Sequence, residues 1–273
     1  MNSESIKKVT NQAIEQLVEA LNAGHSEALT RYLAAMAKFR AYSFLNVLLI
    51  LKQCPNAGRV AGYRTWQSFG RQVKQGEKGI MILAPIFRKR TETSDESNTT
   101  DEARKVAGFR AVYVWDEQQT NGKELPQIGS VTGDPSFHLA RLEEFVRASG
   151  IRLVHSADIV PARGMAEKGK ITLLPDQTPA ETFATLVHEL AHSDMHFGER
   201  RGDTNKRIRE TEAESVAYVV CCAIGLETGT AAQDYLGLYG GDSELLVESL
   251  EYVQATASRI LDALEERPQQ QAA

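Results

Sequence analysis

An α+β fold in two domains is what this sequence predicts, and three observations carry it. Apolar residues recur at helical spacing towards both ends of the chain, two runs in the first half alternate as strands do, and charge is spread unevenly along the 273 residues. Residues 5–21 open the helical part, with Ile6, Val9, Ala13, Ile14, Leu17, Val18 and Leu21 on one stripe that ends near Gly24. Two more helices are predicted over 26–39 and 43–53, the second stopped by Pro55 and Gly58. Residues 62–70 read as a loop or short helix, and Gly76-Glu77-Lys78-Gly79 as a turn into a strand over 80–85. Residues 91–102 hold no apolar side chain, so a disordered acidic loop is expected over about 91–106. A strand over 109–115 should pair with 80–87. Residues 118–134, polar and Gly-rich, are the candidate linker, with 126–134 as its centre. The predicted domains are therefore 1–125 and 135–266, followed by a frayed polar tail over 267–273.

In the second domain a helix is predicted over 135–149, with strands over 151–155 and 170–175. The next helix has an explicit start: Thr178 is the N-cap, Pro179 occupies N1 and Glu181 sits at N3, which makes a capping box. Helices over 205–226, ended by Gly225 or Gly229, and over 243–264 complete the chain.

The net charge of −5 conceals a segregation. Residues 31–90 carry twelve Lys or Arg against the single acid Glu77, a balance of +11, together with eight of the nineteen aromatic residues. Cations interleaved with flat rings suit a groove for single-stranded nucleic acid, with charges for phosphates and rings for unstacked bases. The plainer alternative is a solvated basic surface over an aromatic core. The longest apolar run, residues 44–51, is broken by Asn46 and falls well short of the roughly eighteen residues a spanning helix needs, so no membrane partner is expected. Residues 1–16 show no apolar leader core, and three Cys, with Cys221 and Cys222 adjacent, make no disulfide framework. A cytoplasmic protein with buried thiols is the expectation.

The chemistry concentrates in His188-Glu189-Leu190-Ala191-His192, a HExxH inside the capped helix. Residues four apart on a helix lie within about 40° of each other, so the two imidazoles can share one metal ion with Glu189 beside it as general base. Zinc is the expected ion, with manganese, cobalt and nickel as alternatives. A third protein ligand is required, and Glu210, Glu212 and Glu214 on the following helix are the alternatives. On a helical wheel Glu210 lies nearest the apolar face of Ala213, Val216, Ala217, Val220 and Ile224, which makes it the preferred ligand. Glu214, one turn on, can then accept a ring N–H from a ligating His. Glu212 is expected on a solvated face. His196 stands about 12 Å along the helix from His188, too far to share the ion, and is expected as a surface residue. An oxyanion donor is needed as well, for which Tyr235 and Tyr239 qualify by type alone. His25, His138 and His155 show no ligand spacing.

The chain resembles the ArdC-type antirestriction proteins through Tyr42-Ser43-Phe44-Leu45-Asn46-Val47-Leu48-Leu49, Gly62-Tyr63-Arg64-Thr65-Trp66, residues 70–79 and Val112-Tyr113-Val114-Trp115-Asp116-Glu117-Gln118. In its second half it is similar to the wider group of ImmA/IrrE-type peptidases through the HExxH and Glu210-Thr211-Glu212-Ala213-Glu214. The resemblance implies an N-terminal α+β domain that binds single-stranded DNA and a C-terminal zincin-like metallopeptidase domain. Together they would protect incoming plasmid or phage DNA from host restriction. Lys38, Arg40, Tyr42, Asn46, Arg64, Trp66, Arg71, Lys74 and Lys78 are the candidate DNA-binding residues. Ser193 and Asp194 stand where an aromatic and a Gly often follow the motif in that family. Two alternatives stay open: an ImmA-like protease that cleaves a repressor or other protein substrate, and a protein that only occludes DNA and uses its metal for stability.

Overall fold

A computed structural model describes residues 3–22, 26–88, 105–123, 135–198, 200–226 and 243–265. The centre of the linker, the tail, Tyr235 and Tyr239, and the acidic loop up to residue 104 lie outside them. The elements in order are helices α1 (Ser3–Asn22), α2 (Ser26–Lys38) and α3 (Phe44–Gln53), strand β1 (Val60–Ala61), helix α4 (Tyr63–Ser68), and strands β2 (Arg71–Val73), β3 (Ile80–Arg88), β4 (Lys105–Asp116) and β5 (Thr120–Gly122). Then come α5 (Ser136–Ala148), β6 (Arg152–His155), β7 (Gly164–Glu167), β8 (Lys170–Leu173), α6 (Pro179–Met195), α7 (Arg200–Asp203), α8 (Lys206–Ala223) and α9 (Ser243–Glu265). The mixed α+β composition matches the expectation.

Contacts divide the chain into two compact units: Met1–Ala13 with Leu48–Leu125, and Ile14–Val47 with Pro126–Ala273. This packing boundary differs from the division at residue 125, because residues 14–47 pack with the C-terminal half.

In the first unit β3 and β4 pair antiparallel from Ile80↔Val114 to Arg88↔Lys105, a longer ladder than the alternating residues alone suggest. β1 flanks β4 on the other side, giving the order β1-β4-β3. Ile80, Ile82 and Val114 turn one face of the sheet into core. The outer edge of β3 is closed at Met81, whose N–H donates to the Gln53 side-chain oxygen at 2.9 Å and whose carbonyl accepts from Gln53 Nε2 at 2.8 Å. Part of the expected linker is strand instead. β5 pairs antiparallel with β2, Arg71↔Gly122 to Val73↔Thr120, and neither strand has the apolar alternation that marks one in sequence. Gly122 is required there: at φ 144° its Cα lies so close to the Gly70 carbonyl that a Cβ would sit 2.3 Å from that oxygen.

Trp66 is 2% exposed and donates its Nε1–H to the Trp115 carbonyl at 2.9 Å. It is a core residue, which corrects its assignment to a DNA surface: one turn back on α4, Tyr63 takes the outward position at 47% exposure.

The second unit packs α2, α5, α6, α8 and α9 with a three-stranded sheet of order β6-β8-β7. β6 runs parallel to β8, and β7 is an antiparallel edge strand. Gly-Met-Ala-Glu contains no β-branched residue, so β7 had no signature in the sequence. Phe183, Leu186, Val187 and Leu190 of α6 are fully buried. α8 lies among α6, α2 and α9 and is buried round most of its circumference. It ends at Gly225, whose φ of 79° lets its N–H reach the Cys222 carbonyl while Leu226 N–H reaches that of Cys221.

Both tryptophans, Trp66 and Trp115, lie in the first unit, so tryptophan fluorescence reports that unit. Trp66→Ala is expected to lower its unfolding free energy by about 3–5 kcal/mol in a denaturant titration followed on Trp115; a change below about 1 kcal/mol would contradict the core assignment.

Candidate metal centre

α6 begins as the sequence predicts. Thr178 Oγ1 accepts the Glu181 N–H at 3.3 Å, and the Glu181 carboxylate accepts the Thr178 N–H at 3.0 Å, with Pro179 opening the helix. Three turns on, His188 and His192 project from one face with their Nε2 atoms 3.1 Å apart. Glu210 of α8 brings an Oε2 to 3.6 Å from His188 Nε2 and 3.5 Å from His192 Nε2. The three form a potential metal-binding group among the described residues. A tetrahedral ion with bonds of 2.0–2.1 Å keeps its ligand atoms about 3.4 Å apart, so these spacings fit such an ion without rearrangement. Glu210 is on the open side of α8, 52% exposed at its side chain, rather than towards the helix core.

The partners beyond this group fix which ring nitrogens stay available. His188 Nδ1 lies 3.4 Å from Glu214 Oε2. His192 Nδ1 lies 2.9 Å from His196 Nδ1, and His196 Nε2 lies 2.9 Å from Glu212 Oε2. With His192 Nε2 turned to the metal position, its Nδ1 carries the proton and donates to His196, which in turn donates from Nε2 to Glu212. Burial holds His196 below the usual imidazole range despite Glu212, so the ring is neutral and fit for this role.

Glu212 and His196 therefore differ from their expected surface positions. Glu212 is completely buried and His196 is 1% exposed. The Glu212 carboxylate accepts from His196, from Arg200 Nη2 at 2.5 Å and Nε at 3.4 Å, and from Ser249 Oγ. Burial alone would raise its pKa; the donors from His196, Arg200 and Ser249 more than offset this and hold it below the usual range. Arg200 extends the cluster to Glu248 at 2.7 Å and lies over the Tyr252 ring at 3.9 Å. The wheel failed here because α9 and α7 cover the side of α8 that its own apolar residues leave unmarked.

Glu189 is 7% exposed. Burial, the largest influence, raises its carboxyl above the usual range, against the lowering effect of both imidazoles and of the Ala166 N–H it accepts. Gly164 makes this possible: a Cβ there would lie 2.6 Å from Thr185 Cγ2 and 2.7 Å from Glu189 Oε1, so any larger residue would push β7 off α6. A cleft of about 430 Å³ opens over the group, lined by Gly164, Met165 and Ala166 of β7 and by Phe197, Arg201, Lys206 and Arg209.

Without an ion, burial pulls the His188 imidazole down, but hydrogen bonds to Glu210 and Glu214 and the Glu189 charge lift it to about 9. The Glu210 carboxyl is held far below its usual range, first by the His188 and His192 hydrogen bonds. Without an ion the His188 ring thus favours its protonated form, whereas holding a metal requires it neutral.

The residues expected on DNA are divided between the units. Lys38 is exposed at the end of α2, Arg40 pairs with Glu265 and Asp262, Tyr42 is half-buried with its ring edge on Phe39, and Asn46 is 8% exposed; all four belong to the second unit. In the first unit Arg64 and Lys78 are exposed. Arg71 donates to Thr120 Oγ1 and to the Glu117, Thr120 and Lys123 carbonyls, and Lys74 donates to the Gln118 carbonyl at 2.7 Å. These two cations bind β5 and its approach before they could bind phosphate. Tyr63, Phe69, Phe109 and Tyr113, at 47–59% exposure, are open rings that the reading of the sequence passed over.

Two outcomes are expected. Divalent-metal affinity measured by chelator competition should rise about tenfold per pH unit and level off near pH 9, because His188 must lose its proton to ligate; a flat profile between pH 6 and 9 would exclude the protonated His188. Glu212→Ala should cost the metal-free protein about 3–5 kcal/mol, as it removes the buried partner of Arg200 and leaves that guanidinium only the half-exposed Glu248, and thermal unfolding in chelator measures this.

A family model of the N-terminal domain of anti-restriction factor ArdC matches residues 3–115. An uncharacterised Bacillus anthracis protein is 21% identical over 97% of this chain, which spans 52% of that relative's length. The metal-free crystal structure of the antirestriction ArdC protein from plasmid R388 superposes with a TM-score of 0.54 and 19% identity, covering 93% of this chain and 97% of that one. The Mn(II)-bound crystal structure of the R388 protein superposes at 0.48, with the same identity, over 86% of this chain and 98% of that one. Residues 3–115 thus match the ArdC N-terminal domain, and the chain shares the fold of the R388 protein.

Proposed function

We propose that this chain protects DNA from restriction by binding single strands through its first half, and that its second half is a zincin-like, divalent-metal peptidase. The convergence of His188, His192 and Glu210 beside a buried Glu189 is the observation that carries the enzymatic part. The ArdC domain match and the +11 balance over residues 31–90 support the DNA part. No described helix is long and apolar enough to cross a membrane.

His188, His192 and Glu210 would hold the ion, zinc by preference and manganese, cobalt or nickel as alternatives, with Glu214 and His196 orienting the two rings. When bound, the ion supplies Lewis acidity, which acidifies water and polarises a carbonyl. Glu189 accepts the attacking water's proton on its carboxylate and returns it to the leaving nitrogen. The raised pKa suits it to both transfers. β7, an edge strand beside Glu189, offers an extended peptide its outward backbone groups other than the Ala166 N–H that Glu189 occupies. On the DNA side, Arg64 and Lys78 supply charge, while Tyr63, Phe69, Phe109 and Tyr113 replace Trp66 as stacking rings.

Glu189→Gln should lower peptide hydrolysis by about 10²–10⁴-fold while metal affinity changes little; retained hydrolysis would remove Glu189 from the mechanism. If DNA protection survives in that variant, the protein acts on DNA by occupancy alone, with the metal serving stability. Arg64→Gln with Lys78→Gln should reduce the slope of log affinity for oligothymidylate against log salt by about 1.4, and an unchanged slope would count those cations out.

A further inference from the structure

Five of the thirteen basic residues of segment 126–273 fall within ten positions, Arg200, Arg201, Lys206, Arg207 and Arg209, although the segment holds twenty-three acids and a net charge of −10. Three of the five, Arg201, Lys206 and Arg209, line the cleft over the metal centre. None of those three forms an ion pair among the described residues. The Arg209 Nη1 donates to the Thr204 carbonyl and, at 3.4 Å, to the Arg201 carbonyl, which holds the guanidinium in place and leaves its charge uncompensated. Arg201 lies 5.7 Å above the Phe197 ring, which steadies its guanidinium at the rim. Lys206 is the first residue of α8, where the helix adds its own positive end. Among the described residues the acids in the lining are Glu189 and Glu210, which are committed to the Ala166 N–H and to the two imidazoles.

We propose that this wall is a subsite for an acidic residue, so that the substrate is a peptide with Asp or Glu beside the bond to be cut. The proposal rests on the peptidase reading above and assigns its specificity. A single carboxylate gains three uncompensated cations there, whereas a neutral residue leaves their field unused. A nucleic-acid strand fits less well: a polyanion reaching this cleft meets a segment of net −10 and the Glu189 carboxylate, while Met165 and Phe197 offer apolar flanks to a peptide.

The test uses the full chain carrying Mn(II) and two fluorescent peptides that differ only by Asp or Asn at one position. Binding to the Glu189→Gln protein, read by anisotropy, should favour the Asp peptide by at least about tenfold. Arg201→Gln with Lys206→Gln should erase that preference without changing Mn(II) affinity. Cleavage of a mixed peptide library by the unmodified protein should show Asp or Glu enriched next to the cut. Equal binding of the two peptides, or cleavage with no acidic preference, overturns the subsite and leaves the peptidase reading standing. Acid-selective binding with no cleavage of any peptide supports the subsite and counts against the peptidase reading instead. If oligothymidylate displaces the Asp peptide, or the double variant loses DNA affinity, the wall serves DNA phosphate and the acidic-peptide proposal fails.

Discussion

A carboxylate sealed in the middle of four helices is the constraint on which the second unit turns. An ion taken from water to a protein interior costs several kcal/mol, and Glu212 offsets this only because Arg200, Ser249 and His196 all aim donors at it. Those donors come from α7, from α9 and from the C-cap of α6, so one anion on α8 fixes how four elements meet. Its influence reaches the metal position through His196, which leaves His192 with a single available nitrogen. The His188 ring is oriented by Glu214, whose side chain is 59% exposed. The two imidazoles are thus steadied by opposite means, one by a buried network and one by a solvated carboxylate that can reorient.

What could be read from the sequence was local. The capping box, the pair of His one turn apart and Glu210 with Glu214 one turn apart depend on spacing within a helix, and the structure brings them together as that spacing requires. Glu212 and His196 escaped because their burial depends on Arg200 and Ser249, which stand 12 and 37 residues away from Glu212 and carry no periodic mark. Trp66 was misplaced for a related reason: a basic, aromatic composition does not say which ring faces inward, and only the sheet beneath α4 decides between Trp66 and Tyr63. β5 and β7 lack apolar alternation because each is short and sits at an edge, where backbone pairing suffices.

The segregation of charge also acquires a structural meaning. Three of the twelve cations of residues 31–90, Arg31, Lys38 and Arg40, belong to the second unit, and Arg40 is spent on Asp262 and Glu265. The basic character that remains lies mainly in the first unit, alongside four open aromatic rings.

Gln53 of α3, set against β3, and Glu189 of α6, set against β7, do one further thing in common. Each side chain occupies a main-chain N–H on the outer rim of an edge strand, at Met81 and at Ala166. An unguarded rim invites strands from other molecules to add on and build insoluble assemblies. The Glu189 side chain is therefore also a stopper against self-association: shortening it would free a backbone donor on the rim of β7, and solubility would suffer.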